Sequence, residues 1–210
     1  MNDLEAAIFP FDVILFDVGG VLLTNGWDHC ERAVVLDQFG LDRESFEARH
    51  AKPNDAWERG VISAKEYLQA TVFYKPRDFS KEDFLAAMYA QSEMLKDGAM
   101  SILKELAASD RYRLGVLNNE ARETNEYRFK TFKIRDFIQV SLSSCYLGLR
   151  KPEPAIYRRA LDILGRPAER VLFIDDRAEN AAAASDAGMK SIVFTDNSTL
   201  RRELAGLEVL

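Results

Sequence analysis

The segment ILFDVGGVLL, residues 14–23, constrains this chain more than any other stretch. An apolar run rich in β-branched and aromatic residues ends in one carboxylate, Asp17, and two glycines and a second apolar stretch follow. The run reads as a buried strand over 12–16 that delivers a carboxylate to its C-terminal end beside a permissive backbone. Two residues on, where a second carboxylate would complete a nucleophile and acid pair, stands Gly19.

Residues 26–95 hold no convincing strand. Their helical patterns are interrupted at Gly40, Pro53, Gly60 and Pro76. Ser63 with Glu66 spells a capping box, and Ser80 with Asp83 a weaker version of the same start signal. Phe84, Leu85 and Met88 then share one helical face, so this block reads as three to five short helices. From residue 97 the pattern alternates. Helices are expected over 99–108, 121–132, 152–164 and 178–187, with a last one starting near 197 or 198. Strands are expected over 112–117, 137–141, 171–174 and 190–194. Apolar strands alternating with helices imply a parallel sheet covered on both faces. The expected fold is therefore α/β: a Rossmann-like, doubly wound parallel sheet formed by 1–23 and 97–210, with an all-helical insertion over 24–96. A chain of 210 residues suffices for such a core plus an insertion.

Several function classes are disfavoured. The net charge of −6 argues against a nucleic-acid or membrane-surface binder, though a local site can still be positive. No apolar stretch is long enough to span a membrane. Residues 1–7 carry Asp3 and Glu5 and lack the basic region of a signal peptide, which favours a cytoplasmic protein. Cys30 and Cys145 are far apart, without metal-ligand spacing, and read as buried thiols in a reducing compartment. His29 and His50 show no ligand pattern and read as solvated or packed. Oligomeric state is not encoded legibly.

In parallel sheets ligands bind beyond the carboxyl ends of the strands. The polar residues that immediately follow the expected strands are Asp17, Asn118 with Asn119, and Asp175 with Asp176. Together with Lys151 they resemble the motifs of the haloacid dehalogenase-like hydrolase superfamily. ILFDVGGVLL is similar to its nucleophile strand and RLGVLNNE to its second motif. LGLRKPEPAIY is similar to its lysine motif, and RVLFIDDRAENAAAASDAGMKSIVF to its acidic metal motif. The helical insertion after the first strand is similar to the caps that close over small substrates, and ERGVISAKEY, 58–67, to caps of sugar-phosphate phosphatases.

The resemblance implies a Mg²⁺-dependent phosphatase of a small phosphorylated metabolite, with a sugar phosphate as one candidate. Asp17 would attack phosphorus and form an aspartyl-phosphate. The metal would take Asp17, the backbone carbonyl of Gly19, and Asp175 or Asp176, with Asp175 favoured as the direct ligand. Lys151 would hold the phosphate and balance Asp17, and the Asn118 amide would donate to a phosphoryl oxygen where the family has a hydroxyl. Asn119 would order its loop, Asn180 would support the acidic loop, and Arg150 would make a surface or cap contact. Substrate choice would rest on insertion residues such as Trp27, Trp57, Arg59 and Tyr74.

Gly19 departs from this pattern, because it removes a general acid–base worth about 10²–10⁴-fold. A good leaving group, such as an anomeric phosphate, would suffer least. Two alternatives follow. A 2-haloacid dehalogenase uses the same aspartate and tolerates Gly19, although it needs no paired acids. A catalytically weak metabolite-binding protein on this scaffold would also accommodate Gly19 and Asn118.

Overall fold

The computed structural model describes residues 10–210. Residues 1–7, read above for a signal peptide, lie outside it, as does the start of the 1–23 core segment. The chain runs β1 (Val13–Phe16), α1 (His29–Gln38), α2 (Arg43–Glu58), α3 (Ala64–Thr71), α4 (Lys81–Ala90), α5 (Met100–Ser109) and β2 (Arg113–Asn118). It continues through α6 (Arg122–Thr131), β3 (Val140–Ser143), α7 (Ser144–Leu147), α8 (Pro154–Leu164), β4 (Val171–Asp175), α9 (Ala178–Asp186), β5 (Lys190–Val193) and α10 (Asn197–Gly206). Among the described residues no helix is long and apolar enough to cross a membrane.

The strands form one all-parallel sheet in the order β3-β2-β1-β4-β5. Alternation along each strand divides the core into two layers. Ile14, Phe16, Leu114, Val116, Leu172 and Ile174 face α5 and α10 through Ile102, Leu106, Leu200 and Leu204. Val13, Leu15, Leu117, Val171 and Phe173 face α8 and α9 through Ile156, Tyr157, Ala160 and Ala184. Both sheet faces are thus covered, which is why the strands read as continuous apolar runs. The chain proceeds outward from β1 through β2 to β3, then returns to place β4 on the other side of β1. The crevice at this switch lies between the carboxyl ends of β1 and β4, where Phe16 pairs with Ile174.

Helices α1–α4 carry a hydrophobic cluster of their own, with Trp27, Val35, Phe46, Trp57, Tyr67 and Phe84 at its centre. Both anticipated capping boxes form, at Ser63/Glu66 and Ser80/Asp83. Pro53 does not interrupt the helix as expected but sits inside α2. Its missing N–H leaves the Arg49 carbonyl without its helical partner. Phe46 and His50 before it and Trp57 after it are all buried, and that packing outweighs a cost of about 3 kcal/mol. Gly60, which ends α2 at φ 69°, is required twice over: a Cβ there would lie 2.2 Å from the Cys145 carbonyl oxygen of α7.

The expected strand over 137–141 begins later, at Val140. Phe137 and Ile138 are apolar because they pack against the core from a loop, not because they pair. Cys145 is buried as expected, but Cys30 is exposed. It falls off the α1 face whose buried residues are Arg32, Val35 and Leu36.

The helical cluster contains a buried polar chain. Trp27 Nε1 donates to the Tyr67 hydroxyl at 2.8 Å, and that hydroxyl lies 2.8 Å from His50 Nδ1. An indole can only donate, which leaves the hydroxyl its own proton to give to an unprotonated Nδ1. Burial, reinforced by the nearby Arg32 charge, pushes His50 down to about 4 from 6.5. A base lowered in the folded state contributes stability that is lost as pH falls from about 6.5 toward 4, here up to about 3 kcal/mol. His50→Gln, which keeps an acceptor but cannot titrate, should flatten that part of the stability profile. Denaturant midpoints of both proteins at pH 7 and pH 4.5 check this, and equal slopes would contradict it.

Candidate active site

The fold brings three of the singled-out strand ends to one place. The Asp17 backbone N–H donates to the Ile174 carbonyl at 2.8 Å, so the loop after β1 starts against β4. Lys151 enters from the segment between α7 and α8. Its Nζ lies 3.0 Å from Asp17 Oδ2 and donates to Asp175 Oδ2 at 2.6 Å, with all three side chains almost wholly enclosed. Asn119 fixes the lysine backbone from both sides: Lys151 N–H donates to Asn119 Oδ1, and Asn119 Nδ2 donates to the Lys151 carbonyl, each at 2.8 Å. Asn180 Nδ2 donates to both Asp175 oxygens, at 3.0 and 3.2 Å, and the Tyr157 hydroxyl donates to the Asn180 carbonyl. Asn119 thus bonds the Lys151 backbone and Asn180 the Asp175 carboxylate, and the Arg177 N–H adds a further bond to Asp175 Oδ1.

Asp17, Asp175 and Asp176 each offer an oxygen within 4.8 Å of the others. They are the one such group of potential ligands among the described residues. Burial pushes Asp17 up to about 7, against the pull of Lys151. Burial and the adjacent Asp175 raise Asp176 as well. Burial depresses Lys151, but Asp17 and Asp175 outweigh it and its net shift is upward. Three carboxylates facing one lysine leave excess negative charge that a divalent cation fits. The bonding distinguishes the two aspartates. Both Asp175 oxygens are engaged by Lys151, Asn180 and Arg177, whereas Asp176 Oδ1 is buried without a partner. Asp176 thus keeps a carboxylate oxygen free of other partners, whereas Asp175 does not.

Gly20 makes room for this aspartate. At φ 71° it holds a conformation that strains other residues, and a Cβ would lie 2.2 Å from Asp176 Oδ2. Gly20→Ala should cost more than about 1 kcal/mol. By displacing Asp176 it should also weaken Mg²⁺ binding about 10- to 100-fold. Thermal unfolding and calorimetric titration measure the two effects, and unchanged Mg²⁺ affinity would contradict the placement.

Asn118 is less well placed than the sequence suggests. It is buried, one N–H donates to Asn125 Oδ1 at 3.0 Å, and its own Oδ1 has no partner. It does not line the cavity above the centre, so its second N–H is the one donor it retains.

That cavity has a volume of about 400 Å³ and opens between the sheet edge and the helices of the insertion. Apart from Gly19, Trp27 and Pro152, every residue lining it is charged or a carboxamide. Most of its carboxylates are tied to arginines: Asp28 to Arg177, Asp55 to Arg59 and Arg150, Glu58 to Arg150, Glu153 to Arg59, and Glu120 to Arg128. Arg150 thus contacts α2, as anticipated. Arg59 holds Asp55 and Glu153 below the usual carboxylate range, while burial, opposed by Arg128, raises Glu120. Glu179 is exposed and forms no ion pair among the described residues.

Of the four insertion residues singled out, Trp27 and Arg59 line the cavity. Trp57 stacks on Tyr67 in the helical cluster, and Tyr74 is exposed beneath Arg49. Sequence reasoning missed Asn25. Its Oδ1 lies 3.0 Å from where a Gly19 Cβ would stand, and it lines the cavity. Thr-Asn-Gly reads only as a turn, so no sequence signal marked it.

Known proteins can be set beside this geometry. Over 198 residues, 94% of this chain and 78% of the relative, the sequence is 28% identical to flavin mononucleotide hydrolase 1 of Arabidopsis thaliana. It is 25% identical to the sesquiterpene phosphatase astK of Aspergillus oryzae, covering 94% of this chain and 96% of that protein. The fold superposes with a TM-score of 0.77 on a HAD family enzyme of Bacteroides thetaiotaomicron solved as a magnesium complex. That match is 22% identical and covers 92% of this chain and 99% of the other. The sequence profile of the haloacid dehalogenase-like hydrolases matches residues 11–188, so the chain belongs to that family.

Proposed function

We propose that the protein is a Mg²⁺-dependent phosphatase of a small, hydroxyl-rich phosphorylated metabolite such as a sugar phosphate, with Asp17 as its nucleophile. The observation that carries this reading is the Asp17 carboxylate at the β1–β4 crevice, 3.0 Å from a buried lysine and within ligand distance of Asp175 and Asp176. The phosphatase relatives support the reaction class. The polar lining of the cavity supports a hydrophilic substrate, and its size is at the small end for ligand sites. Of the described residues, we assign 10–23 and 97–210 to a catalytic core and 24–96 to a cap over the cavity.

Asp17, Asp176, Asp175 and the Gly19 carbonyl are the groups that would hold Mg²⁺. When bound, the metal would offset the charge of the phosphate dianion and of the attacking carboxylate. An Asp17 oxygen attacks phosphorus, the bond to the leaving oxygen breaks, and that oxygen departs with the electron pair. Lys151 holds a phosphoryl oxygen while charge shifts. Water then attacks phosphorus, loses a proton to solvent, and releases phosphate and the free Asp17 carboxylate.

Dehalogenation would use Asp17 but leave the unpaired Asp176 oxygen without a task. The test is phosphate release from an aryl phosphate with Mg²⁺, beside chloride release from a 2-chloro acid without it. Phosphate release alone is expected, and chloride release alone would replace this reading with the dehalogenase.

A further inference from the structure

The wall of the cavity carries more negative charge than its arginines balance. Arg32 donates to Glu47 from Nε and Nη2, at 2.8 and 3.1 Å, and from Nη1 to the Trp27 carbonyl. Arg128 is buried between Glu120 and the Thr24 carbonyl, and Arg177 bonds Asp28. Each of these guanidiniums is matched by one carboxylate. Where α2 meets the segment before α8, three carboxylates share two guanidiniums. Arg59 holds Asp55 and Glu153, and Arg150 holds Asp55 and Glu58. Arg59 keeps Asp55 and Glu153 below the usual carboxylate range, so both stay ionised near neutral pH. Glu179, in the first turn of α9, has no cationic partner among the described residues. Outside the Asp17 centre the wall thus keeps uncompensated negative charge at two places, and every arginine lining it is already held by a carboxylate.

Resting on the phosphatase reading, we propose that this wall selects substrates by charge. It takes phosphate monoesters whose remainder is neutral or cationic and turns away those with a second anionic group, a carboxylate or another phosphate. A second anion would have to open an arginine–carboxylate pair, which strands the displaced carboxylate, or stand beside like charge. A hydroxyl disturbs no pair, because carboxylate and carboxamide oxygens retain lone pairs to accept its proton. An ammonium group offsets the excess at Glu179 or at the shared cluster. The phosphate being cleaved is exempt, since Lys151 stands at the centre to meet its charge. Glu179 and the cluster of Asp55, Glu58 and Glu153 thus set specificity through their field.

The test uses three phenyl phosphates whose para substituent is aminomethyl, hydroxymethyl or carboxymethyl. The intervening methylene keeps the leaving groups alike in acidity, so the esters differ in remote charge at nearly constant size. kcat/KM is measured with saturating Mg²⁺ at neutral pH for wild type, Glu179→Gln, and the double variant Glu58→Gln with Glu179→Gln. In wild type the carboxymethyl ester should be slower than the hydroxymethyl ester by about 5-fold or more. The difference should lie in KM more than kcat, because a remote charge acts on binding. The aminomethyl ester should be at least as fast as the hydroxymethyl ester. Both variants should narrow the gap between the hydroxymethyl and carboxymethyl esters, because glutamine keeps the shape and removes the charge. Glu179→Gln breaks no ion pair, so it reads the effect even where the double variant disturbs the shared cluster. A smaller gap in wild type, an aminomethyl ester slower than the hydroxymethyl one, or a gap that does not narrow in Glu179→Gln overturns the inference and leaves the phosphatase reading intact. Absence of Asp17-dependent phosphate release from all three esters overturns both.

Discussion

Asp17→Asn should lower phosphate release by at least about 10³-fold, because it removes the nucleophile and keeps the shape of the site. The same substitution should alter stability in a characteristic way. In metal-free wild type Asp17 is pushed up to about 7, chiefly by burial and against Lys151. A carboxyl raised in the folded state contributes stability present below its ordinary value of 3.8 and lost as pH rises through about 7. Asparagine has no such dependence. Wild type should therefore lose stability relative to Asp17→Asn between pH 4 and pH 7 in the presence of a chelator, and Mg²⁺ should reverse the loss. Denaturant titrations with and without Mg²⁺ check this. Parallel profiles for the two proteins, or a variant with near-wild-type turnover, would contradict the role given to Asp17.

Lys151→Met should produce the largest loss of stability at the site. The ammonium stands between Asp17 and Asp175, and its side chain is about 1% exposed. Methionine of similar length leaves two buried carboxylates facing each other, and unpairing a buried ion costs about 3–5 kcal/mol. Turnover should fall by about 10²-fold or more as well, because the charge that holds the phosphoryl oxygens is gone. A purely structural lysine would give the first effect alone. The site predicts a third: Mg²⁺ should stabilise Lys151→Met more than it stabilises wild type, because the cation then replaces the missing charge. Thermal unfolding across a Mg²⁺ titration measures this. Equal stabilisation of the two proteins would mean that metal and lysine do not share the same carboxylates.

The core was legible because both of its signals are local. Runs such as VILF and VLFI bury both faces of a parallel sheet, so they carry no alternation and stand out as apolar blocks. The residue after each run then marks the sheet edge, which is how Asp17 and Asp175 were found without knowing that β1 and β4 pair. The exceptions follow from tertiary context. Phe137 and Ile138 mimic a strand because they pack on the core from a loop. Pro53 mimics a helix end because the packing of Phe46, His50 and Trp57 on both sides of it is invisible in sequence. In the site, the full engagement of Asp175 and the free oxygen of Asp176 depend on where Asn180, Lys151 and Arg177 reach. Asn25 depended on the return of the chain toward Gly19. Both are consequences of folding rather than of spacing.

Trapping of the covalent intermediate tests the central claim most directly. Mg²⁺-loaded protein is mixed with a good aryl phosphate substrate, quenched in acid within the first turnovers, and digested for mass spectrometry. A phosphoryl group should appear on the peptide carrying Asp17, require Mg²⁺, and be absent from Asp17→Asn. Turnover without a phosphoryl group at Asp17, or with one on another residue, would contradict the account.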